Sequence, residues 1–147
     1  MLFTPFDIEA YMLFNELPLE PKLLQAIAEK GYTNATPIQE KAIPPILEQR
    51  DLIGLAQTGT GKTAAFAIPI LELLHAKKPL DGGIKALIVT PTRELAIQIA
   101  DNFKAYGKHL GLRSLVIFGG VKAHAQIQTL KQKPAILIAT PGRDRKS

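Results

Sequence analysis

The stretch Ala56-Gln57-Thr58-Gly59-Thr60-Gly61-Lys62-Thr63 decides how the rest of the chain reads. Before it, Asp51–Ala56 is a short apolar run of the kind that forms a buried strand. After it, Lys62–Ala76 has helical spacing. A glycine-rich turn between strand and helix, ending in Gly-Lys-Thr, is the context a phosphate loop requires. Glycines let the backbone curl so that successive N–H groups point inward at a phosphate, and the helix that follows adds its positive end. Lys62 can then reach the β- and γ-phosphates, and the Thr63 hydroxyl can hold Mg²⁺. A lone glycine pair would read as an empty turn; Gly-Lys-Thr at a helix start does not. The general pattern has glycine where this chain has Ala56.

Outward from that loop, three more Ile/Leu/Val-rich runs read as strands: Lys85–Thr90, Arg113–Phe118 and Ala135–Thr140. They are nearly continuous rather than alternating, as strands covered on both faces tend to be. Helical spacing recurs between them, at Thr92–Leu110 and Lys122–Leu130. The alternation predicts an α/β fold, a parallel sheet wrapped by helices. Two helices precede the first strand. Glu20–Lys30 has Pro21 near its start and Gly31 as its stop. The next starts at Thr36-Pro37, buries Ile38, Ala42, Ile43 and Ile46, and is interrupted by Pro44-Pro45. Pro69 is expected to kink the helix after the loop.

The 147 residues suffice for one domain or part of a larger one, and 46% hydrophobic with 21% charged residues excludes disorder. The longest apolar run, Ala64–Leu71, is far short of a membrane span. There is no cysteine, which excludes disulfide scaffolds, thiolate metal sites and cysteine nucleophiles. His75, His109 and His124 are scattered, with no acidic partner at ligand spacing, so a histidine metal site is not expected. An acidic start, with Asp7 and Glu9 and no base, argues against a secretory signal, so the expected location is cytoplasmic. Residues 1–20 carry four acids and no Lys or Arg, whereas the remainder holds all 18 bases. A basic body favours polyanionic partners, although on charge alone a solvated basic surface is the better reading.

The motifs together are similar to those of the DEAD-box ATP-dependent RNA helicases, and the chain resembles the first part of their N-terminal RecA-like domain. The form Ala56–Thr63 is that family's phosphate loop. Gly31-Tyr32-Thr33-Asn34-Ala35-Thr36-Pro37-Ile38-Gln39 matches the family's Q motif, with Phe14 at the expected separation before it. Pro91-Thr92-Arg93-Glu94-Leu95-Ala96, then Gly119-Gly120, then Thr140-Pro141-Gly142-Arg143 match three RNA-contacting motifs in order. The resemblance implies ATP and Mg²⁺ as cofactors, with Gln39 bonding the adenine edge in a bidentate way, Tyr32 stacking on its face and Phe14 behind. It also implies sequence-independent RNA contacts through Pro91, Thr92, Arg93, Gly119, Gly120, Thr140, Pro141, Gly142 and Arg143. Read without the family, Thr36-Pro37-Ile38-Gln39 is a capping box that starts a helix, and the prolines and glycines are loop punctuation.

The resemblance divides the chain into an extension over 1–13, an incomplete RecA-like ATP-binding domain over 14–143, and a polar tail over 144–147. No Asp-Glu-Ala-Asp segment occurs, so the chain reads as a piece whose own ATP hydrolysis is expected near background. An incomplete sheet is expected to leave the phosphate-loop strand with unpaired edges. The competing reading is a non-catalytic nucleotide- or RNA-binding module, or a truncated competitor of a full-length protein.

Overall fold

The computed structural model describes residues 12–57, 59, 61–77, 82–119 and 131–141. The predicted helix Lys122–Leu130, the tail, and Thr58, Thr60, Gly120, Gly142 and Arg143 lie outside these residues.

Helix α1, Pro21–Glu29, buries Leu23, Ala26 and Ile27. Its end is a Schellman motif: Gly31, at φ +85°, donates to Ala28 O, and the Tyr32 N–H donates to Ile27 O. Only glycine takes that φ without strain. The motif thereby fixes where Tyr32 leaves the helix. A 3-10 turn at Phe14–Glu16 packs beneath, its Phe14 N–H donating to Thr33 O at 3.0 Å. The Glu20 N–H donates to Glu72 Oε2 at 2.8 Å, tying the start of α1 to a later helix.

Helix α2, Pro37–Leu47, corrects the expected interruption, because it runs through Pro44 and Pro45. Each proline removes one donor to a carbonyl four residues back. The fully buried Ile43 and the packing of α2 on helix α3 hold the turn regardless. Helix α3 spans Lys62–Ala76, the range expected from spacing, and continues through a buried Pro69.

The sheet holds three parallel strands, β1 at Ala86–Val89, β2 at Ser114–Ile117 and β3 at Ile136–Ala139, in the order β1-β3-β2. Helix α4, Arg93–Gly107, connects β1 to β2 and packs on β2, β3 and α3. The register aligns Ile88, Ile138 and Val116 across one face, which joins the core with Ile99 and Phe103 of α4. The opposite face carries Leu87 and Val89, 61% and 64% exposed. Burial on both faces, expected from the continuous apolar runs, therefore does not hold for β1.

The fourth expected strand is also corrected. Asp51–Ala56 has no strand structure, and Ile53 and Leu55 are 88% and 89% exposed. Strand formation requires a ladder partner, and among the described residues this segment has none. Both pairs the sheet makes are with β3, the central strand.

One ion cluster locks the bottom of α1 to the end of α4. Glu29 pairs with Lys108 and, at 3.1 Å, with His109. Hydrogen bonds from Lys108 and then His109 lower the Glu29 carboxyl from the ordinary 4.5 to about 2. Because the folded value is depressed, the cluster's contribution is complete above the usual carboxylate range and is lost as pH falls from about 4.5 through 2. We expect an NMR titration to find the Glu29 midpoint near 2, and Glu29→Gln to lose its deficit relative to wild type in that acid window. A Glu29 midpoint at its ordinary value would sink this prediction.

Among the described residues, no helix is long and apolar enough to cross a membrane.

Candidate functional site

The loop between α2 and α3 and the turn after α1 converge because α2 packs on α3. A cavity of about 620 Å³ opens between them, lined by Tyr32, Asn34, Thr36 and Gln39 of the 31–39 turn and by Gly59, Gly61, Lys62 and Thr63 of the loop and helix start. Its remaining wall is one face of α4, from Leu95 to Tyr106. Of the residues expected to hold nucleotide, Tyr32, Gln39, Gly59, Gly61, Lys62 and Thr63 are thus brought together. Phe14 is buried, 3% exposed, and supports the 31–36 turn from behind rather than lining the cavity. Ala56 and Gln57 do not line it either.

Gln39 is the joint between the two segments. It is 6% exposed, its Oε1 accepts from the Thr36 N–H at 2.9 Å, and its Nε2 donates to Gly61 O at 3.1 Å. The first bond is the glutamine half of the capping box. The threonine half turns Thr36 Oγ1 toward the Gln39 N–H, which completes the box, and leaves the buried hydroxyl's own proton without an acceptor. Each end of the Gln39 amide has capacity for a second bond, one donor and one acceptor. That pair complements an adenine edge, which offers one acceptor and one donor.

Gly61 closes the loop tightly against Gln39 and Thr36. Gly61 caps α3 at φ +83°, and a Cβ there would lie 2.3 Å from Gln39 Nε2 and 3.3 Å from Thr36 Oγ1. A buried orphan hydroxyl beside a turn that admits no side chain suits an oxygen-rich ligand such as a phosphate, which fills the unmet bond. Lys62 and Thr63 open α3, whose aligned peptide dipoles favour an anion at that end.

The second group of expected residues meets at the carboxyl edge of the sheet, because all three strands run parallel and end there. Thr92 caps α4, its side chain accepting from the Leu95 N–H at 3.2 Å. The Arg93 guanidinium reaches Gly119 O at 3.4 Å and lies over the Phe118 ring at 5.4 Å. The Gly119 N–H donates to both Thr140 O and Thr140 Oγ1, at 3.0 and 3.1 Å. Pro91 and Pro141 are exposed, and Thr90 Oγ1 is buried without a partner. Pro91–Arg93, Gly119 and Thr140-Pro141 thus form one rim.

Sequence reasoning missed the α4 wall, namely Leu95, Gln98, Asn102 and Tyr106. Their three- and four-residue spacing marks one helical face, and the polar Gln98 and Asn102 on it were the available signal. Burial, followed by the nearby Tyr32, pushes the Tyr106 phenol up to about 12.

A family model described as DEAD/DEAH box helicase matches residues 36–147. The chain is 52% identical over 134 residues to the ATP-dependent RNA helicase CshA of Limosilactobacillus reuteri, covering 91% of this chain and 26% of that protein. A crystal structure of a DEAD box protein from the hyperthermophile Methanococcus jannaschii matches with TM-score 0.78 and 42% identity, over 89% of this chain and 35% of that one. The DEAD-box helicase Mss116, bound to ssRNA and UDP-BeF, matches with TM-score 0.78 and 38% identity, over 88% of this chain and 27% of that one. The chain spans about a quarter to a third of the length of these relatives.

Proposed function

The chain belongs to the DEAD/DEAH box helicase family, and from that premise we propose that it carries the ATP-binding and RNA-gripping part of an ATP-dependent RNA helicase. The observation that carries this reading is the single cavity in which Tyr32, Thr36 and Gln39 face the same space as Gly61, Lys62 and Thr63. A nucleoside triphosphate matches both groups of residues, with a flat base for the first and a charged tail for the second. In this reading Tyr32 stacks on adenine, and Gln39 uses its two remaining amide bonds on the base edge. The loop N–H groups and Lys62 hold the phosphates, while Thr63 supplies an oxygen to Mg²⁺. The ion would neutralise charge on the β- and γ-phosphates.

The rim of Pro91–Arg93, Gly119 and Thr140-Pro141, continued by Gly120, Gly142 and Arg143 outside the described residues, would grip the RNA backbone. Its donors suit phosphates and sugars, so binding is independent of base sequence. That a relative of the same fold is bound to ssRNA supports RNA as the ligand class. These 147 residues contain no Asp-Glu-Ala-Asp segment, so we expect nucleotide binding without appreciable turnover from this chain. A binding module without turnover is the second reading, and the transcript separates the two: an open frame carrying Asp-Glu-Ala-Asp beyond residue 147 supports the helicase, and a stop codon there supports the module.

The direct test is calorimetric titration with Mg-ATP. Removing a charge-assisted bond to phosphate costs about 1.5–3 kcal/mol, so Lys62→Ala is expected to bind about tenfold or more weakly. Equal affinity in the two proteins would remove the assignment.

A further inference from the structure

Tyr32 is 49% exposed, so something besides burial must hold its ring if it is to serve as a wall. Two residues outside every motif named above surround it. Lys30 caps α1, and its Nζ lies 5.1 Å from the centroid of Tyr106 and 6.0 Å from that of Tyr32. Tyr106 is 2% exposed in the last turn of α4 and lines the same cavity. We propose that Lys30 and Tyr106 form a clamp that positions the Tyr32 ring for base stacking, so that affinity for the base, and not for the phosphate tail, depends on both. This rests on the nucleotide reading of the cavity.

The geometry supports the clamp at each step. The Schellman turn sets Lys30 and Tyr32 two residues apart around Gly31, so both project from one fixed corner. A cation at that corner is favoured by the carboxyl end of α1. Among the described residues, Lys30 makes no ion pair, whereas the adjacent Glu29 is bound by Lys108 and His109. That neighbouring cluster fastens α1 to α4 and so fixes the distance from Lys30 to Tyr106. The buried phenol stays protonated and neutral through the ordinary pH range, which keeps the ring a steady partner for the ammonium. A base stacking on Tyr32 takes the face that Lys30 leaves open.

The test is calorimetric titration of the chain with two probes, Mg-ATP and inorganic tripolyphosphate, which has the tail without the base. An exposed cation–π contact is worth about 0.5–1 kcal/mol, so Lys30→Met is expected to bind ATP about two- to fivefold more weakly. Its tripolyphosphate affinity is expected to stay at the wild-type value, and Lys30→Arg to restore ATP affinity. Tyr106→Leu is expected to act in the same direction, with Lys30→Met as the surface variant that leaves the core intact. Equal loss of both probes in Lys30→Met would show a plain charge effect and overturn the clamp, as would loss of neither. In either of those outcomes, a Lys62→Ala that loses both probes leaves the nucleotide reading standing. A Lys62→Ala that loses neither removes that reading and the clamp with it.

Discussion

Gly61→Ala is expected to lose about 2–4 kcal/mol of stability and at least about tenfold in Mg-ATP affinity, from two costs that fall on one atom. The first is backbone strain, since φ is +83° and a non-glycine residue held there costs about 1–3 kcal/mol. The second is steric: the new Cβ would stand 2.3 Å from Gln39 Nε2. A side-chain terminus can usually swing aside cheaply. This one cannot, because Gln39 is 6% exposed and bonded at both ends, to the Thr36 N–H and to Gly61 O. Moving it strands a buried amide at about 1–3 kcal/mol and unties the loop from the 31–39 turn. Gly59→Ala is the control. Its φ is +84° but its Cβ would meet nothing within 4 Å, so only the strain applies. Urea denaturation and calorimetry on both variants decide the matter. If Gly61→Ala is no worse than Gly59→Ala, Gln39 is not the joint described here.

That joint also marks the limit of what the amino-acid sequence discloses. Helix α3 was legible to the residue because its signals are local: a glycine before Lys62, helical spacing, and an apolar run that any register buries. Thr92 and Gly31 likewise announce a start and a stop within a few residues of themselves. Asp51–Ala56 failed because apolar content says what a segment would bury, not whether a partner strand lies beside it. The path of α2 through Pro44-Pro45 failed for the converse reason, since packing on α3 outweighs two missing donors. In the site, the glycine-rich loop and Gln39 were readable as patterns of residue type at fixed spacing. Lys30 and Tyr106 were not. A tyrosine on an apolar helix face reads as core, and only the fold brings it to the ammonium of a residue 76 positions earlier.

Ile138→Ala is expected to cost about 2–5 kcal/mol, the range for truncating a fully buried aliphatic side chain. Domains of this kind are stable by only about 5–15 kcal/mol, so the loss can populate the unfolded chain under native conditions. Ile138 is 0% exposed on the central strand, aligned with Ile88 and Val116 against α4. No other residue of β3 combines full burial with a neighbour on each side of the same layer except Ile136, whose β2 neighbour is the polar Ser114. Val89, one position along on the opposite face, is 64% exposed and aligned with Ala139 and Ile117. Val89→Ala is therefore expected within about 0.5 kcal/mol of wild type. Paired urea denaturation curves at several protein concentrations test both. A Val89→Ala loss as large as that of Ile138→Ala would mean that the open face is covered in solution. If the loss also grew with protein concentration, the cover would be a second copy of the chain, since mass action makes only intermolecular burial concentration-dependent.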